Sequence, residues 1–312
     1  MDAIVHKYIE RNGLKLHIAE CGNGPSTVVF LHGFPEIWYS WRHQMMAVAN
    51  AGFKVIAPDF RGYGLSDPSP QPDKATFLDL VNDLVAILDA LGLSKIFLIS
   101  HDFGARPACQ FTMLHPERVM GLVTLGMPYI PGPRSAFLKG LPEGLYISRW
   151  QEPGRAEADF SRFDVKTILR NIYILFSRSE LPIASENQEI MDVVDESATL
   201  PPWFTEEDLD TYADLYKNFG FHSALKVPYR SLNEEFKIQN PRIELPTLII
   251  MGEKDYSLKF PGVEDTLMSG KIKAFVPNLE MTIIPEGSHF VHEQFPDEVN
   301  NLIITFLRSQ HL

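Results

Sequence analysis

The sequence predicts an α/β fold: a mostly parallel sheet of eight strands, helices on both faces, and a helical lid inserted into the sheet. Three observations carry this. Short apolar runs alternate with stretches whose apolar residues recur at helical spacing, the rhythm of strands covered by helices on both sides. That rhythm stops at about Pro128, where prolines, glycines and aromatics become frequent. It resumes at Pro246 and ends on a further strand and an amphipathic helix.

Taken in order, residues 5–9 and 14–19 alternate apolar and polar with Asn12-Gly13 between them, the strongest short signal for an antiparallel hairpin. Residues 27–31 and 54–58 are continuous apolar runs, as expected of strands buried on both faces. Helices are expected over 40–51 and over 77–91, where Leu80, Leu84, Ile87, Leu88 and Leu91 form one stripe. A fifth strand begins at Ile96; a helix to about His115 and a strand over 119–125 follow it. Only two helical stretches, 163–176 and 205–216, stand out in the insertion, among Pro131, Pro133, Pro142, Pro153, Pro182, Pro201, Pro202, Trp150 and Trp203. Strands over 246–251 and 281–284 and a helix over 296–307 complete the chain. The expected division is a core domain of residues 1–127 and 242–312 with a helical cap over 128–241.

Composition narrows the function. With 45% hydrophobic and 22% charged residues among 312, the chain can bury a sizeable core. A formal charge of −12 argues against nucleic acid or an anionic membrane surface as partner, because both attract a basic face. Cys21 and Cys109 are the only cysteines and fall in a strand and a helix, so a reducing compartment is expected rather than a disulfide framework. No run approaches the roughly 18 apolar residues of a membrane span, and the first residues lack a signal-peptide core. Gln310-His311-Leu312 is not a usual peroxisomal tripeptide. A cytoplasmic protein is expected.

The chemistry centres on Ile96-Phe97-Leu98-Ile99-Ser100-His101-Asp102-Phe103-Gly104-Ala105. An apolar strand breaks at a carboxylate and passes into a helix, and small residues stand two before and two after it, Ser100 and Gly104. This is the pattern of a nucleophile elbow, a turn tight enough to expose its central residue. Serine usually occupies that place. Aspartate there is already anionic, needs no base to activate it, and forms an alkyl ester when it attacks carbon. The plainer role for Asp102 is capping the helix that follows.

Two later strands end in the partners a nucleophile requires: Gly252-Glu253-Lys254-Asp255, then Pro285-Glu286-Gly287-Ser288-His289-Phe290. The chain order Asp102, Asp255, His289 is that of nucleophile, acid and base in the α/β-hydrolase fold. A histidine held by a carboxylate keeps the tautomer that accepts a proton from water. Glu253 is the alternative acid, and His292 and His101 compete with His289. The loop Leu31-His32-Gly33-Phe34-Pro35-Glu36 is placed to supply one backbone N–H of an oxyanion hole, with Phe103 supplying the other.

Over nearly its whole length the chain resembles the soluble epoxide hydrolases of that superfamily, particularly those of plants. The resemblance is carried by His32-Gly33-Phe34-Pro35-Glu36, Asp59-Phe60-Arg61-Gly62-Tyr63-Gly64-Leu65-Ser66, His101-Asp102-Phe103-Gly104-Ala105 and Gly287-Ser288-His289-Phe290. In the insertion it extends to Tyr146-Ile147-Ser148-Arg149-Trp150-Gln151 and Tyr229-Arg230. It implies that Tyr146 and Tyr229, among ten tyrosines, donate to the epoxide oxygen, and that Glu36 and His101 order the hydrolytic water. It further implies lipophilic epoxides and water as the small-molecule partners, vicinal diols as products, and neither cofactor nor metal. A monomer or weak homodimer is the default. One departure stands out: where the family often has tryptophan after the nucleophile, this chain has Phe103, which keeps the backbone donor but lacks the indole N–H.

That change weighs against the haloalkane-dehalogenase alternative, whose members hold the leaving halide with side-chain N–H groups. Fluoroacetate-type relatives want arginines beside the nucleophile, and Arg106 is the nearby candidate. A non-enzymatic ligand receptor on the same scaffold is the alternative of another class.

Overall fold

The strands are β1 (Val5–Arg11), β2 (Leu14–Cys21), β3 (Thr27–Leu31), β4 (Lys54–Pro58), β5 (Ile96–His101), β6 (Val119–Leu125), β7 (Thr247–Gly252) and β8 (Leu279–Ile284). In the computed structural model, which describes residues 3–128, 138–234, 238 and 241–310, they form one sheet in the order β1-β2-β4-β3-β5-β6-β7-β8. Pro131 and Pro133 of the proline-rich stretch, with His311 and Leu312, lie outside the described residues. The first three strands of that order pair antiparallel. From β4 onward every pairing is parallel.

Burial follows sequence character. All residues of β3, β5 and β7 are buried, which is why these runs carry no polar alternation. β1 is the sheet edge, turned at Asn12-Gly13, both with positive φ. Its alternation does not produce a buried face: Val5 and Tyr8 are each 53% exposed.

The helices are α1 (Arg42–Asn50), α2 (Phe77–Ala90), α3 (Ala105–Leu114), α4 (Tyr146–Trp150), α5 (Arg155–Phe160), α6 (Val165–Phe176), α7 (Glu206–Tyr216), α8 (Val263–Met268), α9 (Val291–Gln294) and α10 (Pro296–Ser309). Capping boxes of Thr76 with Asp79 and Thr205 with Asp208 start α2 and α7, and Asp164 caps α6, fixing where these helices begin. The short helices α4, α5, α8 and α9 span fewer than two turns, too little for apolar periodicity to register. Cys21 and Cys109 are not joined by a disulfide. No helix among the described residues is long and apolar enough to cross a membrane.

Helices α4 to α7 lie between β6 and β7 in sequence and pack over the core through specific bonds. Tyr39 Oη donates to Asp208 at 3.1 Å and Ser231 Oγ to the Ala75 carbonyl at 2.8 Å, while Tyr63 Oη lies 2.8 Å from the carbonyls of both Ala224 and Val227. Because β3, β5, β6, β7 and β8 run parallel, the loops leaving β3, β5, β7 and β8 emerge at one edge of the sheet, where ligands bind in open α/β folds. Those loops carry Phe34, Asp102, Asp255 and His289.

Candidate active site

Asp102 follows β5 with φ +49°, in the left-handed region that a non-glycine residue rarely adopts. The turn fits only because Gly104 has no side chain: a Cβ there would lie 2.3 Å from the His32 carbonyl oxygen. The strained turn aims the carboxylate out of the elbow, and its side chain retains 16% exposure. Its Oδ2 accepts from the Phe34 N–H at 3.1 Å, and the Phe103 N–H also donates to the carboxylate. The two amides expected from their positions alone thus face one carboxylate.

His289 sits on the loop after β8 and is fully buried. Its Nδ1 lies 3.1 Å from both carboxylate oxygens of Asp255, and its Nε2 lies 3.5 Å from Asp102 Oδ1. Asp255 is fixed in turn by the Ser257 N–H at 2.9 Å. Burial disfavours a charged imidazole, but the Asp255 and Asp102 carboxylates override it and push His289 up to about 10. Burial likewise opposes ionisation of Asp102, and His289 holds it below the usual carboxylate range nonetheless. The two carboxylates flank the imidazole and favour its charged form.

The competing candidates are engaged elsewhere. Glu253 uses Oε2 to accept from the Glu286 N–H at 3.3 Å. His292 Nε2 lies 3.1 Å from Glu36 Oε1, and His101 places Nδ1 2.8 Å from Glu36 Oε2 and Nε2 2.8 Å from the His289 carbonyl. Arg106 reaches the Leu232 and Glu234 carbonyls at 3.3 and 2.7 Å.

Glu36 and His101 are both fully buried directly behind the nucleophile. Glu36 Oε2 also accepts from the Gly33 N–H at 2.6 Å, and a Cβ on Gly33 would lie 2.8 Å from both Glu36 Oε2 and Asp102 Oδ2. Burial would raise the Glu36 carboxyl, but His101 and His292 hold it well below its ordinary range. Among the described residues, Glu36, His101 and His292 are the one trio whose ligand atoms could surround a metal ion. Both ring nitrogens of His101 lie within hydrogen-bond distance of protein oxygens, the Glu36 carboxylate and the His289 carbonyl.

Tyr146 opens α4 and Tyr229 opens the short 3-10 turn Tyr229–Ser231. Their rings meet edge to face with centroids 5.9 Å apart, and Tyr229 packs 5.2 Å from Phe34. Burial pushes both phenols well above 10, and the Asp102 charge adds to the rise in each. Both phenols therefore stay protonated. The surrounding wall is aromatic: Phe103 packs on Phe60 and Phe77, and Trp150 on Tyr146 and Tyr229.

Two features escape sequence reading. Tyr256, directly after Asp255, places its hydroxyl 3.0 Å from that of Tyr146; adjacency to the acid is its only sequence signal. Glu293 is buried among Arg42 at 2.5 Å and the hydroxyls of Tyr173 and Tyr212 at 3.2 and 3.4 Å, groups that no local motif links.

The alpha/beta hydrolase fold family matches residues 26–296. Epoxide hydrolase 3 of Siraitia grosvenorii is 38% identical over 99% of this chain and 100% of its own, and epoxide hydrolase A of Mycobacterium tuberculosis is 31% identical over 100% of both. Among solved structures, an epoxide hydrolase from Vigna radiata superposes with a TM-score of 0.92 at 33% identity over 99% of each chain. Potato (Solanum tuberosum) epoxide hydrolase I gives 0.88 at 34% identity, over 98% of this chain and 99% of the potato one.

Proposed function

Because the chain belongs to the alpha/beta hydrolase fold family and, within it, to the epoxide hydrolases, we propose that it opens lipophilic epoxides to vicinal diols through an ester on Asp102. The carrying observation is the division of labour at that carboxylate: Oδ2 is held by the Phe34 amide while Oδ1 faces His289.

In the first step Oδ1 attacks an oxirane carbon and the ring C–O bond breaks towards the buried phenols of Tyr146 and Tyr229. An alkoxide is a poor leaving group, so a donor opposite the nucleophile lowers the barrier. Esterification removes one of the two carboxylate charges that hold the proton on His289. Ring opening thus releases the base: a phenol gives its proton to the alkoxide, and the proton given up by the imidazolium restores that phenol. In the second step neutral His289, oriented by Asp255, takes a proton from water, whose oxygen attacks the ester carbonyl. The Phe34 and Phe103 amides receive the oxyanion, and collapse frees the diol, the Asp102 carboxylate and the imidazolium. Glu36 and His101 act from behind, through the Gly33 loop and the His289 carbonyl, and set where that water stands. Epoxide and water are the partners this cycle requires.

Chromatographic assay of diol formation from a panel of alkyl and aryl epoxides tests the reading. Diol from the panel, abolished by Asp102→Asn, is the expected result. Halide release from haloalkanes with no diol would favour the dehalogenase, and tight binding without either product would favour a receptor.

A further inference from the structure

Tyr256 lies on the core side of the site and Tyr146 on the cap side, and the bond between their hydroxyls, 3.0 Å long, crosses the seam. Tyr256 is 1% exposed, and its ring packs 5.0 Å from His289 and 5.3 Å from Phe176. The backbone under it is the turn that fixes Asp255. The Ser257 N–H bonds the Asp255 carboxylate, and Ser257 Oγ donates to the Gly126 carbonyl at 2.8 Å. Tyr256 is therefore held as firmly as the acid it follows.

A phenol has one proton. If Tyr146 gave its proton to Tyr256, none would remain for the epoxide oxygen. A Tyr146 that serves as acid must accept from Tyr256 and aim its own proton at substrate. We infer that Tyr256 is a positioning residue for ring opening: it donates to the Tyr146 oxygen, turns the Tyr146 hydroxyl towards the epoxide, and stabilises the charge that builds there as the proton leaves. This rests on the reading of Tyr146 as an acid. The electrostatics agree: burial and Asp102 raise Tyr146, while the bond from Tyr256 works in the opposite direction. Burial raises Tyr256 as well, and its bond to Tyr146 raises it further, as a donor requires. Since the bond spans core and cap, the acid is armed only when the cap is seated.

Single-turnover ester formation with enzyme in excess, followed by quenching of tryptophan fluorescence, tests this with Tyr256→Phe, Tyr146→Phe and the double variant. Phenylalanine keeps the ring against His289 and deletes only the hydroxyl. Loss of a hydrogen bond to a developing charge should slow ester formation about tenfold, leave ester hydrolysis within about twofold, and move the alkaline fall of ester formation to higher pH. In the Tyr146→Phe background, Tyr256→Phe should add nothing, because it acts through the Tyr146 oxygen. The same loss in both backgrounds, or an unaltered rate and pH profile in Tyr256→Phe while Tyr146→Phe is slow, overturns the proposal. Equal slowing of both chemical steps with a lowered melting temperature also overturns it, as a structural effect. If Tyr146→Phe alone forms ester at the wild-type rate, the acid reading fails, and the role of Tyr256 falls with it.

Discussion

The Phe34 amide holds Asp102 Oδ2 at 3.1 Å while Oδ1 of the same carboxylate stands 3.5 Å from His289 Nε2. Under the proposed mechanism one oxygen is seated where the oxyanion forms, and the other is left to attack. In heavy-oxygen water with enzyme in excess, the first diol should carry no label, and the label should appear in the peptide containing Asp102. A labelled first diol would mean that water attacks the epoxide directly. Asp102→Asn, which tolerates the left-handed backbone better than alanine, should lower turnover by more than about a thousandfold.

Replacing His289 with glutamine separates the two steps. Ester formation should persist, slowed, because Asp102 keeps its amide donors, while hydrolysis loses its base. Intact-protein mass spectrometry should show a species heavier by the mass of the epoxide, with steady-state turnover reduced about a thousandfold or more. No adduct at any time would contradict the covalent route.

The imidazolium between Asp102 and Asp255 also ties stability to pH. His289 is raised from 6.5 to about 10 in the folded chain, so the native state holds its proton more tightly than the unfolded state does. The stabilisation is complete below about pH 6.5 and is lost as pH rises towards 10. Asp102→Asn removes one of the carboxylates responsible. Melting temperature measured from pH 6 to 10 should fall less steeply in that variant than in the wild type; parallel curves would refute the ion pair.

Tyr146 and Tyr229 should show moderate single effects and a severe joint one. Tyr146→Phe or Tyr229→Phe alone should slow ester formation by about 10- to 100-fold, since the other donor remains. Both together should leave almost no alkylation in stopped-flow traces. Rates of ester hydrolysis should change little, because the proposed mechanism gives no phenol a part in that step.

Gly104→Ala tests the elbow itself. The added methyl carbon would press on the His32 carbonyl from 2.3 Å, backbone against which nothing can rotate away. Urea unfolding should report a loss of about 2 kcal/mol, in the range of overpacked cores, with activity reduced as the turn shifts Asp102.

The eight strands and the Asp102, Asp255 and His289 constellation were legible because each signal is local: an apolar run, then a polar residue beside glycine at the strand's end. Parallel topology does the rest, bringing those ends together. Tyr146 and Tyr229 required resemblance to a family, since cap packing rather than spacing puts their rings 5.9 Å apart. Tyr256 stayed hidden for the same reason, its partner being 110 residues away. The Arg42, Tyr173, Tyr212 and Glu293 cluster joins four separate segments, and burial there pushes Glu293 up to about 7. No pattern in any one segment announces a carboxyl so placed.

The bonds of Tyr39, Tyr63 and Ser231 join the segment inserted between β6 and β7 to the sheet and its flanking helices. On this reading the sheet owns the nucleophile and the inserted helices own the electrophile's helpers. Were the helices to lift, a molecule admitted beneath them would meet an unassisted carboxylate, and one enclosed by their return would meet the full machine. Admission and reaction are then mutually exclusive moments of a cycle, and a guest that dissociates before closure leaves unmodified, so dwell time as well as shape sorts what this chain transforms.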